Sequence, residues 1–537
     1  MAVRSARAIA GAALVGVAAL NVAAVAVLNG YDQRIGPLHL VAHDAFKPLQ
    51  YLAAAVLLAC LLKRGAAELD EGGGAWPAWV APVCVAAAYL PTAFINFLHP
   101  DWTQAHIGAG VQGWNAIAAW FTDRQVDGSY RPLGFLSIWV DYLLFRGAPV
   151  GCHLQNIGLH VLNVVLVAKL CARLGFSRRA AGAAALLFAI APVCAEPVTW
   201  PAARYDLLAT LFVLGAVIVA ADWLGWARCG RGRLLVVALL TVAAILSKEV
   251  GYAAPLLVAA LAWSRNLFGL ASSRRAAPVL LAAGAPAVLC ILVRLAIYHG
   301  LGGYAYAQGT SPAVSFSAKT VFAAATRLLI APSAVNTAEG ITIPAAAALM
   351  LFAGAAFLAV LRCVRPDRVD ATLVGFAILS ALPVAGILGW VGPSMGASRY
   401  LYFPSVWVFA VLGRALSTKR MRGVLVLFAV GCVTATVSNV LHYREALTLA
   451  ERSGGIVQAE LRARQGVQTV CLMGVPSASH GVLFFSEEVL GKVRSGIEGR
   501  GIAVRLGGGA GCDVVYQWDP ARSQLSFGAM PRAFILR

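Results

Sequence analysis

The chain has 537 residues, of which 60% are hydrophobic and only 12% charged, and its formal net charge is +19. A mean hydropathy of +0.76 excludes an ordinary water-soluble globular enzyme and points to a chain that lies largely in the bilayer. The basic excess does not indicate a nucleic-acid partner, because nearly every Lys/Arg cluster borders an apolar run, where it sets membrane orientation.

A helix needs ~20 mostly apolar residues to cross the hydrocarbon, and short Lys/Arg-rich loops stay cytoplasmic. The basic start, residues 1–7, is therefore placed inside. Residues 8–28 exit; they are longer than the ~7–15-residue apolar region of a signal peptide and are read as a retained helix. Residues 49–62 return to Lys63-Arg64, and 79–97 exit again. After an external segment over 97–152, residues 153–170 return to Arg173, Arg178 and Arg179. Residues 180–193 go out and 206–224 come back to Arg228, Arg231 and Arg233. Residues 234–246 and 252–263 form a short hairpin that ends at Arg265, Arg274 and Arg275. Residues 278–297 exit, 341–361 return to Arg362, Arg365 and Arg368, and 372–388 exit. Residues 401–412 return to Arg414, Lys419, Arg420 and Arg422, and 424–441 exit for the last time. The expectation is an all-α polytopic membrane protein of ~13 spans, with the C-terminal tail outside.

Three parts follow. Residues 1–76 read as a helical hairpin ending at Glu71-Gly72-Gly73-Gly74, and residues 77–441 as the membrane core. Residues 442–537 read as a small α/β domain on the outer face. In that domain, 469–475, 502–506, 513–517 and 524–527 have strand character, and 486–499 has the pattern of an amphipathic helix. Asp519-Pro520-Ala521-Arg522 suits a hairpin turn. The 11 cysteines show no metal-binding spacing. Cys471 and Cys512 share the external tail, where a disulfide is permitted; Cys152 and Cys194, at the outer ends of two spans, are a second possible pair. No repeat of solenoid period is visible.

This threading gathers the unusual polar clusters on the outer face. They are His99-Pro100-Asp101-Trp102, Tyr130-Arg131-Pro132-Leu133, Glu196-Pro197-Val198-Thr199-Trp200, Arg204-Tyr205-Asp206, Ser247-Lys248-Glu249 and Ser398-Arg399-Tyr400. In the 97–152 segment, Trp114 and Trp120 suit an interfacial helix with both rings in the headgroup belt. Asp101 follows directly on a span. Partial desolvation there would suit it to base work, and a capping role is the structural alternative. Arg204 could pair with Asp206 or Glu196, or act in catalysis. Lys248 and Glu249 at a hairpin tip are costly unless paired or hydrated, so they are either functional or a buried salt bridge. His160 and Asn163, inside a span, suit hydrogen-bonded packing.

These blocks carry a resemblance. Tyr130-Arg131-Pro132-Leu133, then His153-Leu154-Gln155-Asn156 with His160 and Asn163, resemble a stretch of the polytopic GT-C glycosyltransferases. So do Ala191-Pro192-Val193 through Trp200 and Arg204-Tyr205-Asp206-Leu207-Leu208. Leu246-Ser247-Lys248-Glu249 with Gly251, and the run from Ser398 to Ser405, resemble two further blocks. The group they are most similar to is the transmembrane O-mannosyltransferases that carry tetratricopeptide repeats, with their bacterial relatives. The order of blocks is kept across roughly 95–405 of the chain.

The resemblance implies a GT-C-like enzyme that moves a sugar from a polyprenyl phosphate to an acceptor hydroxyl or amine, by inverting displacement. It implies Asp101 as general base, with Arg204, Lys248 and Arg399 on the lipid phosphate. Glu196 would orient one of these or the sugar, and Arg131, Asp206, Glu249 and Tyr400 would support the site. The acceptor could be a glycan, lipid or protein, and no nucleic acid is involved. Relatives often show two adjacent acids in the first external loop, whereas here the pair is Pro100-Asp101. A lone carboxylate is a poor divalent site, so no metal or other cofactor is expected, and Asp123 or Asp127 are alternative bases. The tetratricopeptide array is missing, so acceptor recognition should differ. The alanine- and arginine-heavy composition and the lack of glycosylation sequons place the chain in a bacterial inner membrane, with the N-terminus cytoplasmic and the C-terminus periplasmic. A transporter or flippase would show two related halves and midplane charges, and a non-catalytic scaffold would tolerate loss of Asp101 and Lys248; these are the rival readings.

Overall fold

In a computed structural model of the protein, the described residues are 31–35, 38–42, 79–94 and 111–225 except 112, 125–127 and 147. They continue through 230–267, 273–300, 368–384 and 398–417, then scattered positions from 425 to 444 and the strand segments and Cys512 between 469 and 529. The membrane core is helical: α1 Val80–Tyr89, α2 Trp114–Thr122, α3 Pro132–Phe145, α4 Pro149–Arg173, α5 Arg178–Ala189, α6 Ala195–Thr199. After these come α7 Arg204–Gly225, α8 Gly232–Ser247, α9 Ala253–Leu267, α10 Ser273–Tyr298, α11 Arg368–Ala381 and α12 Tyr402–Leu416.

By length and composition, α4, α7 (with the turn before it) and α10 can each cross a membrane. A fourth crossing follows if α5 and the segment Pro192–Thr199, bent by 50° at their junction, are one span. The remaining apolar helices of the core are shorter, so the ~13 spans expected from hydropathy are not reached among the described residues. Expected spans 8–28, 49–62 and 341–361 lie outside those residues, and 424–441 is described only in part. Two features refine the sequence reading. Helix α3 lies in the tryptophan-rich 97–152 segment, for which helical stretches were expected but not delimited; it starts on Pro132, whose fixed φ suits the first helical turn. Helix α2 forms where an interfacial helix was expected and leaves Trp114 exposed. Trp120, however, is buried against Phe135, with ring centroids 6.0 Å apart, so its ring is core and not belt.

The α4–α5 turn shows how local chemistry sets the frame. Gly175 takes φ +91°, and Phe176 N–H reaches back to the Cys171 carbonyl at 3.0 Å, closing α4. Ser177 then caps α5, its Oγ accepting from Ala180 N–H at 3.2 Å. Helix α12 lies close against α5 because Gly413 offers no side chain; a Cβ there would come within 2.4 Å of the Ala184 backbone nitrogen. Small residues at such a crossing substitute backbone packing for the hydrophobic drive that lipid removes.

One face of α4 carries His153, Asn156, His160 and Asn163, at helical spacing and all fully buried. His160 Nδ1 lies 2.8 Å from the Tyr402 hydroxyl and its Nε2 3.3 Å from the Ala189 carbonyl. Asn163 Nδ2 donates to the Leu207 carbonyl at 3.0 Å and to the Tyr402 hydroxyl at 3.1 Å. These bonds tie α4 to α5, α7 and α12, so the packing role expected for His160 and Asn163 is the one observed.

Outside the helices, β1 Tyr31–Ile35 and β2 Leu38–Ala42 pair antiparallel. Near the C-terminus, β3 Thr469–Met473, β4 Ala478–Ser479, β5 Val482–Leu483, β6 Ala503–Leu506, β7 Val514–Asp519 and β8 Gln524–Ala529 appear. Four of them form a sheet in the order β6-β3-β7-β8, with β3 parallel to β6 and β7 and a β7–β8 antiparallel pair. Asp519 pairs with Gln524, so β7 and β8 form the expected hairpin pair, while residues 520–522 of the expected turn lie outside the described residues. The helix expected at 486–499 lies outside the described residues. Cys471 and Cys512 are disulfide-bonded, tying β3 to the chain entering β7. Cys152 and Cys194 form no disulfide; both are buried in the helical core, where a thiol packs as a small hydrophobe.

Candidate active site

Six chain segments that are remote in sequence meet at one end of the core. They are the start of α3 (Arg131), α6 (Glu196), the start of α7 (Arg204, Asp206), the α8–α9 tip (Lys248, Glu249), α10 (Arg294) and the turn Ser398–Leu401 before α12.

Glu196 sits in the short α6 behind the bend at Pro192. Its Oε2 accepts from Arg399 N–H at 2.7 Å and from the Ser398 hydroxyl at 3.1 Å, while Oε1 takes Arg399 Nη1 at 2.5 Å. The Arg399 guanidinium lies 4.8 Å from the Trp200 ring and 4.6 Å from the Tyr400 ring, and its Nη2 donates to the Tyr400 hydroxyl at 3.2 Å. Such aromatic flanks hold a planar cation in place. Lys248 approaches Tyr400 too, its Nζ 4.8 Å from the ring centroid, and pairs with Asp206 Oδ2 at 2.5 Å. Tyr400 therefore links the two cations.

Lys248 is held by the hairpin tip. Its N–H still bonds the Ala244 carbonyl at 3.2 Å, and the chain then turns sharply through the 3₁₀ segment Glu249–Tyr252. Gly251 permits that turn; a Cβ there would lie 2.3 Å from the Ala244 carbonyl carbon. Next to it, Glu249 accepts Arg131 Nη2 at 2.8 Å and Nε at 3.1 Å on Oε2, and Arg294 Nη2 at 3.4 Å on Oε1. Of the two roles the sequence left open for Lys248-Glu249, the buried salt bridge is present.

Burial alone would raise the Glu249 pKa, but Arg131 and Arg294 outweigh it and hold the carboxyl down at about 2. Because the folded value is the depressed one, the stabilisation is fully present above the ordinary value of 4.5 and is lost as pH falls towards about 2. Thermal melts of the protein from pH 7 to pH 3 should therefore show a loss below about pH 4.5 that Glu249→Gln flattens; equal slopes in both would remove this ion-pair triad from the stability of the protein.

Arg204 is placed differently from both expectations. It pairs with neither Asp206 nor Glu196 but with Asp141 of α3, and it is 1% exposed. Its Nε donates to Asn156 Oδ1 at 2.8 Å and its Nη2 to the Cys152 carbonyl at 2.9 Å. Asn156 in turn donates to the carbonyls of Pro197 and Trp200. The ion pair thus locks α3, α4 and the α6–α7 corner. Asp141 was missed in the sequence, although a single acid inside a 14-residue apolar helix is the signal that marks it. Arg294, alone in the apolar stretch of α10, was missed for want of the same test. Asp101 and Asp127 lie outside the described residues. Asp123 caps the exposed end of α2 and accepts from the Thr122 hydroxyl at 2.9 Å.

Among the described residues, four cations (Arg131, Lys248, Arg294, Arg399) thus face three carboxylates (Glu196, Asp206, Glu249), leaving one positive charge in excess. That balance, in a largely dry site, suits an anionic group.

No family model matches the chain. It is 32% identical over 211 residues to protein O-mannosyl-transferase Tmtc2 of Drosophila melanogaster, covering 37% of this chain and 22% of that protein. It is 40% identical over 90 residues to protein O-mannosyl-transferase TMTC3 of Mus musculus, covering 17% and 10%. The chain thus spans between a tenth and about a fifth of the length of these relatives. The crystal structure of ArnT from Cupriavidus metallidurans bound to undecaprenyl phosphate overlaps 85% of this chain and 97% of its own, at 14% identity and a TM-score of 0.46. The resemblance read from the ordered motifs is borne out by the curated relatives: this chain is similar in sequence to protein O-mannosyltransferases.

Proposed function

We propose that the protein is a membrane glycosyltransferase that takes a sugar from a polyprenyl phosphate carrier and passes it to an acceptor hydroxyl or amine. The observation that carries this reading is the cluster in which Arg131, Lys248 and Arg399 are each oriented by a carboxylate, while Arg294 adds one positive charge beyond those three carboxylates. The names of the relatives, O-mannosyltransferases, support transfer of a hexose.

In the reaction, a base takes the acceptor proton as the nucleophile attacks the anomeric carbon. The bond from that carbon to the phosphate oxygen breaks with inversion, and its electron pair leaves on the carrier phosphate. The leaving group gains negative charge as the bond breaks, so preorganised cations stabilise the transition state more than the bound donor. Arg399 offers a fork for two phosphate oxygens, whereas Lys248 offers a point charge. Glu196 fixes the Arg399 fork from behind, and Asp206 does the same for Lys248. Arg204 belongs to the frame and not to the phosphate, because its donors are spent on Asp141, Asn156 and backbone carbonyls.

Asp101 is the proposed base, with Asp123 and Asp127 as the alternatives on that external segment. The reaction needs no divalent metal in this reading, since each carboxylate of the cluster is already committed to a cation. The outer face is the proposed location of the site, in a bacterial inner membrane with the C-terminal sheet periplasmic; the Cys471–Cys512 disulfide fits an oxidising compartment. Acceptor identity falls to the outer loops and the C-terminal sheet.

Asp101→Asn is expected to leave expression and membrane insertion intact and to abolish transfer, measured with radiolabelled undecaprenyl-phosphate sugars in membranes. A fully active Asp101→Asn protein would move the base elsewhere on the 97–152 segment.

A further inference from the structure

Among the described residues, helix α10 is the least buried of the long apolar helices, with 22% of its span window buried, and Leu289, Leu292, Val293 and Leu295 are exposed. Between its basic N-terminal turn and Tyr298 it holds one charged residue, Arg294. An arginine inside an apolar span is costly unless it turns inward to a partner. Arg294 does so: it is 6% exposed and reaches Glu249.

Glu249 is consequently shared. Its Oε2 takes two donors from Arg131, while Oε1 faces Arg294. The end of α10 also grips the segment that leads to Arg131. Tyr298 donates its hydroxyl to the Ser129 carbonyl at 2.7 Å and packs edge-on to Tyr130, and Arg124 Nε donates to the Ile297 carbonyl at 2.8 Å. Two arginines on one carboxylate leave a net positive charge; a single arginine would be neutralised.

We propose that Arg294 is a positioning residue for the donor phosphate: by occupying one oxygen of Glu249 it keeps Arg131 from being fully neutralised and preserves the positive excess of the cluster. The role rests on the function proposed above. Arg294 acts through Glu249 and Arg131 and does not touch the sugar or the reacting bond.

The test is binding of undecaprenyl phosphate to the full-length protein in detergent, with donor KM and kcat measured alongside. Arg294→Gln should weaken binding and raise KM about tenfold, since one charge at short range in a partly dry site is worth at least that factor, with kcat within about threefold. The double variant Arg294→Gln/Glu249→Gln restores the positive excess and should return affinity to within about threefold of the wild type. A glutamine amide at 249 can still accept from Arg131, whose guanidinium also lies 5.7 Å from the Tyr205 ring, and no carboxylate is left without its cation, so the double variant can be read even where the single one does not fold. A folded double variant that remains ten times weaker, or an Arg294→Gln protein that binds like the wild type, would overturn the proposal. A wild-type protein that does not bind undecaprenyl phosphate at all would instead sink the functional reading on which it stands.

Discussion

Replacing Arg204 with methionine is expected to cost the protein its fold, not merely its turnover. The substitution strands Asp141 at 3% exposure and leaves Asn156 Oδ1 and the Cys152 carbonyl without their donor. Breaking a buried ion pair from one side costs about 3–5 kcal/mol, a large part of the ~5–15 kcal/mol by which a folded domain is stable. Size-exclusion profiles and melts in detergent should show loss of the monodisperse protein. Pairing the change with Asp141→Leu removes the stranded charge and should recover most of it. An Arg204→Met protein that melts like the wild type but binds donor poorly would return Arg204 to the phosphate.

Arg399→Gln is expected to do the reverse: a folded protein with transfer reduced by about 10²–10³, the scale of losing one preorganised charge donor. Folding survives because Glu196 keeps two of its partners whatever side chain stands at 399, namely the backbone N–H and the Ser398 hydroxyl. Arg399→Lys should recover only part of the rate, since an ammonium lacks the fork that Glu196 and the Trp200 and Tyr400 rings align. Initial rates at saturating and at low donor separate the effect on kcat from that on KM. Arg399→Gln at wild-type rate would remove this residue from the chemistry.

The contrast between these two arginines marks where the sequence could be read and where it could not. Hydropathy places a span over 206–224, observed as α7 Arg204–Gly225, and the hairpin tip at Lys248-Glu249, because lipid enforces long apolar runs and charges gather at their ends. Strand alternation and turn chemistry locate the hairpin of β7 and β8 around Asp519-Pro520. Pairing is another matter. Which acid takes Arg204 depends on how α3 lies across α4 and α7, and that placement turns on close approaches such as Gly134 to the Tyr205 ring. Asp141 and Arg294 sit in apolar helices far along the chain from their partners, so no local spacing joins them to the cluster. Tyr400 could be placed next to Arg399 by adjacency, but its contact with Lys248 is a tertiary fact. Helix length was also overread: Pro192 breaks the expected 180–193 span with a 50° bend, and that bend is what delivers Glu196 to Arg399.

The most direct test of the central claim is sugar transfer by the purified, reconstituted protein from a panel of radiolabelled undecaprenyl-phosphate sugars, with EDTA present and Asp101→Asn as the control. A transferase of the proposed kind releases undecaprenyl phosphate and labels an acceptor with at least one donor, without added divalent metal and not in the control. Well-folded protein that turns over none of these donors, yet moves a lipid-linked sugar across the vesicle membrane, would contradict the transferase reading and make the charged cluster part of a transport path.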